Sequence, residues 1–374
     1  MSEYQCYEFV ALDRPLTAKQ VAELRAISTR AEISPTRFWN EYQWGDLKAD
    51  PAKLMERYFD AHLYFTNLGT NRLMLRMPKA RVDLKALKPY FGKGHAARLK
   101  SVDDHVLLDL GSDAEAPEYD DQRQGSLAAL CPLRAELMRG DLRPAYLAWL
   151  LSVTENDVDE DSTEPPVPPG LADLTAPQEA MVEFLRIDVD LVAAASRGPA
   201  AAAEDGAPFH RWLMALSAKQ KDAWLRRAAE EPDLALGGEL LRAFRAKAKR
   251  ERSDKRRTVG RLRALAKAQR AERERAEAAR AKKVKTAFSA TRQPQLTKLA
   301  RDVDGAWAKL EKLVEASRYD EAVALAVDLR DLATRDGKAA RFAGRLEAMR
   351  QRQLRRRRFF DRWKRANERR SGER

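Results

Sequence analysis

Cysteine is scarce. The chain has two, Cys6 and Cys131, far apart and neither in a CxxC pair, so no zinc knuckle and no disulfide framework is expected. So few cysteines fit a reducing compartment, and a cytoplasmic protein is predicted. Histidine is nearly as rare: His62, His95, His105 and His210 stand apart, with no HxxxH pair among them. A P-loop, a GxSxG elbow and a Rossmann glycine fingerprint are all missing, which removes the common signatures of nucleotide and acyl-transfer chemistry. The cluster Asp103, Asp104 and His105 reads as a surface histidine beside a strand start rather than a general base. Long apolar runs are missing too. Leu127 to Leu133 falls well short of the ~18 residues that cross a bilayer, and Arg134 and Glu136 interrupt its continuation. The first residues, MSEYQCYEFV, lack a basic segment followed by an apolar one, so no signal peptide is predicted. One metal pattern begins and fails. Asp157, Asp159 and Asp161 match the first three positions of a calcium loop, but Ser162 stands where Gly is required and Pro168 where Glu is required. The prediction is therefore a non-enzymatic protein with no metal, no cofactor and no membrane partner.

Positive charge, by contrast, is abundant and one-sided. The 374 residues carry a net +13, yet residues 241–374 hold 42 Lys/Arg against 18 Asp/Glu and residues 1–240 hold 28 against 39. An acidic body thus carries a basic arm, a pattern that favours nucleic acid, an anionic surface or an acidic protein as partner. The densest stretch, Leu241 to Lys285, has nineteen Lys/Arg, five Asp/Glu, no Pro and one Gly, Gly260. Ala, Arg, Lys and Glu are strong helix formers, so one long exposed helix is predicted, broken at Gln293-Pro294. Its larger apolar residues, Leu241, Phe244, Val259, Leu262 and Leu265, form too thin a stripe for a core helix.

Ahead of the arm, the chain alternates short strand and helix signals. Tyr4 to Leu12 reads as a strand. Thr17 caps a helix carrying Val21, Leu24 and Ile27. Glu32 to Trp44 reads as a strand with Phe38, Asn40, Tyr42 and Trp44 on one face. Asp50-Pro51 combines an N-cap acceptor with Pro at the first helical position. Leu68-Gly69-Thr70-Asn71 turns between two strands, and His105 to Leu110 forms another. The predicted class is mainly α and multidomain. It comprises a small α+β domain over 1–110, a helical segment over 111–153, an acidic Pro-rich linker over 154–170 and a second helical segment over 171–236. The long basic helix then runs over 237–292 and a helical hairpin with a basic tail over 295–374. Six acids and four prolines make 154–170 the expected domain boundary. In the last module Val303, Trp307, Leu310 and Val314 recur at helical spacing, Ser317 to Asp320 turns, and a second and third helix follow before RRRRFFDRWKR, residues 355–365.

The candidate contacts follow from this charge. Lys247, Lys249, Arg250, Arg252, Lys255, Arg256 and Arg257 are the densest phosphate ligands, with Arg355, Arg356, Arg357 and Arg358 second. Trp363, with Phe359 and Phe360, is a candidate for stacking on bases; the competing reading packs these rings on the preceding helices. The acidic stretches 101–122 and 154–164 are competitors for the arm. The aromatic run FWNEYQWGD leaves Trp39, Glu41 and Gln43 on a second strand face, where a ligand pocket would have to form. Nonspecific binding of DNA or RNA is the leading expectation, with a protein bound by the acidic body. The alternative is an adaptor whose helices dock protein partners.

Two stretches carry resemblances. YEFVALDRPLT (7–17) and NEYQWGDLKADPAKLMERYFDAHLYF (40–65) resemble the N-terminal signature of a bacterial protein family of unassigned function, which transfers no site residues. WAKLEKLVEASRYDEAVALAVDLRDLA (307–333), with FAGRLEAMRQR after it, resembles the helical tail of some bacterial SWIM zinc-finger proteins. The SWIM ligands, CxC followed by CxH, are absent, so that resemblance implies a helical module without its metal.

Overall fold

The computed structural model describes residues 4–113, 126–197, 206–231, 236–247, 256–353 and 356–371. The chain divides into two compact units, 1–272 and 273–374. It is mainly helical, with one antiparallel sheet near the N-terminus.

Seven strands build that sheet: β1 (Gln5–Val10), β2 (Glu32–Ile33), β3 (Arg37–Tyr42), β4 (Ala61–Thr66), β5 (Thr70–Pro78), β6 (Ala97–Val102) and β7 (His105–Asp113). Their spatial order is β2-β3-β1-β4-β5-β7-β6. Helices α1 (Ala18–Ile27), α2 (Pro51–Arg57) and α3 (Leu84–Leu87) interrupt them. The local signals act as expected. Thr17 and Gln20 form a capping box, and the Asp50 side chain accepts from Ala52 N at 2.9 Å with Pro51 at the helix start. Gly69 turns between β4 and β5 at φ 111°, a conformation that its missing Cβ permits. Strand β6 is additional to the strands expected. It is an edge strand whose outward Arg98 and Lys100 dilute the apolar signal of Ala97 and Leu99.

Alternation sends the two faces of the sheet into different cores. Leu63, Leu73, Leu75, Val106 and Leu108 face the larger core. That core also takes residues of α4 (Leu127–Leu130), α5 (Pro132–Met138), α6 (Arg143–Thr154), α7 (Ala176–Phe184) and α8 (Val189–Ser196). Phe9, Phe38, Met74 and Leu107 face a smaller core closed by α1 and α2.

The acidic, proline-rich stretch is not a boundary. Glu164 and Val167 are buried, Tyr90 donates its hydroxyl to Pro166 O at 2.8 Å, and Asp157 Oδ2 accepts from His95 N at 2.5 Å and Ala96 N at 2.6 Å. Prolines 165, 166, 168 and 169 present no N–H that burial would strand. The expected linker is therefore packed inside the first unit.

The basic region also departs from one long helix. After α9 (Gly206–Met214) and α10 (Ala218–Glu230) come α11 (Leu236–Lys247) and a separate α12 (Val259–Ala300). Just before α12, Thr258 pairs with Thr163 in an antiparallel bridge. The thin apolar stripe is enough for burial at the start of α12, where Val259, Leu262 and Ala266, spaced i, i+3, i+7, enter the larger core. Pro294 does not break the helix. Beyond it Leu296 is buried and Leu299 packs on the C-terminal core, so tertiary contacts offset the hydrogen bond that proline cannot make.

In the second unit, the expected hairpin is α13 (Val303–Glu315) and α14 (Tyr319–Arg335), followed by α15 (Ala339–Arg352). The basic tail adds a fourth helix, α16 (Arg357–Ser371). Trp307, Leu310, Val314, Ala326, Met349 and Phe359 share one core. Ser317 at φ 61° and Gly337 at φ 67° make the left-handed turns after α13 and α14. Among the described residues no helix is long and apolar enough to cross a membrane.

Candidate nucleic-acid interface

The arginines around the start of α12 serve the fold first. The helix opens with N–H groups that have no partner in the helix itself. Val259 N donates to Ser162 O at 3.0 Å and Gly260 N to Glu160 O at 2.9 Å, so the acidic stretch caps the basic helix. Arg257 places Nε and Nη2 on the two oxygens of Glu164, each at 2.7 Å, and donates through Nη1 to Ala194 O at 2.9 Å. Tyr146 donates to the same carboxylate at 2.5 Å. The side chains of Arg257 and Glu164 are 11% and 3% exposed, so this charge pair is held away from water. Burial, reinforced by the charge of Glu164, pushes the Tyr146 phenol far above its ordinary pKa and keeps it a donor.

Two further arginines dock the same helix. Arg263 donates to Val153 O at 3.0 Å and Asn156 Oδ1 at 2.8 Å. Arg270 reaches Asp190 at 3.0 Å and Asp188 at 2.6 Å. The competition between stretch 154–164 and phosphate is therefore decided for Arg257, which is withdrawn as a phosphate ligand. Lys247 and Arg256 are exposed. Lys249, Arg250, Arg252, Lys255 and Arg355 lie outside the described residues.

The second unit presents its charge differently. Residues 273–374 hold 29 Lys/Arg against 15 Asp/Glu, a net +14. Arginines hold Asp304, Glu311, Asp320, Asp328 and Asp331 at 2.5–2.8 Å. The hydrogen bond and charge of Arg345 keep Asp304 below the usual carboxylate range. These five acids are thus matched by arginine, while Lys282, Lys283, Lys298, Lys309 and Lys312 are exposed.

Helix α16 orders this surplus best. Phe359 is buried, and Phe360 and Trp363 pack against the same core. Arg358, Arg362 and Arg365 recur at i, i+4, i+7 on the side away from those rings, and all three are exposed. Arg362 also reaches Asp320 at 2.6 Å. The expectation for this tail is corrected in two places. Arg356 donates to Ser317 Oγ at 3.0 Å and Glu315 O at 2.8 Å, binding the negative end of α13 rather than facing solvent. Trp363 is half-buried, 5.8 Å from the Phe342 ring and under the Arg330 guanidinium, so the rings do pack on the preceding helices. Arg357 and Arg358 are exposed as expected. Arg362 and Arg365 join them only in the folded helix, although their i, i+4, i+7 spacing from Arg358, opposite the aromatic positions, is legible in the sequence.

Burial pushes the Cys6 thiol up to about 12 and the Cys131 thiol up to about 11, so both stay protonated at neutral pH. His62 is fully buried and stacked 3.9 Å from Phe9. Trp39 is half-buried beside the Arg37 guanidinium, Glu41 accepts from the Tyr4 hydroxyl at 2.5 Å, and Gln43 is exposed. His105 Nδ1 sits 2.5 Å from Asp104 at the β6–β7 turn. Among the described residues no three His, Cys, Asp or Glu are grouped to hold a metal ion. No protein-family model matches the chain, and neither does any curated protein or solved structure.

Proposed function

We propose that the protein is a non-enzymatic, cytoplasmic accessory factor that binds DNA or RNA by its phosphate backbone, through the basic second unit. The observation that carries this reading is helix α16, with rings turned into the bundle and Arg358, Arg362 and Arg365 turned out, on a unit of net +14. Such a surface neutralises phosphates and releases counterions, with little preference for sequence. Affinity for a random-sequence duplex is expected to fall linearly on a log–log salt plot. Arg358→Glu with Arg365→Glu should weaken binding at least tenfold and reduce the slope by about 2, roughly one for each phosphate no longer neutralised. Binding that ignores salt, or survives both reversals unchanged, would sink the reading.

A second reading is an adaptor, and one observation favours it. Met214 on α9 and Leu225 on α10 are 63% and 64% exposed, and α10 buries none of its residues although its sequence is amphipathic. Proteins that co-purify after nuclease treatment, and are lost on Leu225→Lys, would support this role. Partners stripped by nuclease would point back to nucleic acid.

A further inference from the structure

Helices α15 and α16 both pack on α14, and between them lies a groove of about 460 Å³. Phe342, Leu346, Phe360 and Trp363 are the large apolar side chains of its lining. Cations stand over these rings: Arg330 is 5.8 Å from the Trp363 centroid and Arg350 is 6.0 Å from that of Phe360. Resting on the phosphate-binding reading above, we infer that this groove receives unpaired nucleobases, so that the second unit engages single strands by base as well as by backbone.

Three features favour a base as occupant. The volume lies in the range of pockets for nucleotide-sized ligands. Flat apolar rings bordered by guanidinium groups suit the π-face of a base and accept any of the four. The lining sets Glu347 and Asp361 against Arg330, Arg350 and Lys364, so it is close to neutral, and the two acids offer acceptors to the amino groups of bases. Phosphates would instead follow the outer side of α16, where Arg358 and Arg365 lie ~10 Å apart along the helix. Folding thus packs Trp363 on the bundle, yet it stays among the residues that line the groove.

The test measures full-length protein, by fluorescence anisotropy, against a mixed-sequence single strand, an abasic strand of the same length and a duplex. The base-bearing strand is expected to bind at least tenfold more tightly than the abasic one, which keeps every phosphate. Ala343→Trp places a large side chain at the groove mouth from an exposed position. It should erase that margin while changing duplex affinity by less than twofold. Equal binding of abasic and base-bearing strands would overturn the inference yet leave the backbone reading standing, provided Arg358→Glu with Arg365→Glu weakens both. Binding of none of the three probes would overturn the backbone reading itself. A co-purifying protein displaced by Ala343→Trp, with strand binding intact, would assign the groove to a protein partner and overturn the inference. The abasic comparison needs no variant, so poor folding of Ala343→Trp would not shield the proposal.

Discussion

Arg257→Ala is expected to destabilise the protein by about 3–5 kcal/mol, the range for removing one partner of a buried ion pair. Its guanidinium supplies two of the hydrogen bonds on Glu164 and holds the carbonyl of Ala194 as well. Without it, a carboxylate only 3% exposed keeps the Tyr146 hydroxyl and loses its counter-charge. The backbone ties at the start of α12, Glu164 N to Arg257 O and Val259 N to Ser162 O, are kept by alanine, so the cost falls on the side-chain network alone. Urea unfolding of the full chain measures the effect. Arg257→Lys should fall between wild type and alanine, because a point charge cannot serve both carboxylate oxygens and a carbonyl at once. Arg257→Met combined with Glu164→Leu should recover much of the loss, because the two buried charges then leave together. An alanine cost under about 1 kcal/mol would mean that the pair is incidental to the fold.

The second large effect is acid sensitivity centred on His62. Burial pushes its pKa down from 6.5 to about 3, while its Nδ1 donates to Glu8 O at 2.9 Å and Nε2 is buried without a hydrogen-bond partner. Between those two values the unfolded chain binds a proton that the folded chain refuses, so stability rises with pH across that window. The contribution is complete above pH 6.5 and is lost as pH falls toward 3. One proton corresponds to a slope of about 1.4 kcal/mol per pH unit in the middle of the window. His62→Phe should remove that slope between pH 6 and pH 4, while the carboxylates that titrate lower affect both proteins alike. Parallel stability curves for wild type and variant would show that His62 does not govern acid unfolding. The variant should be less stable than wild type at pH 7, where Glu8 O loses its side-chain donor.

What is legible in the sequence is local. The caps at Thr17, Asp50-Pro51 and Ser217 rest on residues within three positions of each other, and all three form. The alternation in β3 and the helical stripe of Trp307, Leu310 and Val314 likewise need only a short window. Charge asymmetry is a property of composition and survives folding, so the surplus on the second unit is visible before any fold is known. The features that differ from expectation depend on partners distant in sequence. The 154–170 stretch has the composition of a linker because its prolines and acids meet their partners elsewhere, in Tyr90, His95, Ala96 and Arg257.

By itself, then, the sequence determined the identity of many elements and the sign of charge on each part of the chain, because these follow from short-range spacing and from composition. Only the tertiary structure decided which cations remain for a partner. Arg256 is exposed while its neighbour Arg257 is paired with Glu164, 93 positions away, and Arg356 is tied to α13 while Arg358 is exposed. A guanidinium goes where a buried carboxylate or an open carbonyl must be satisfied, and that need arises only once distant segments are packed together.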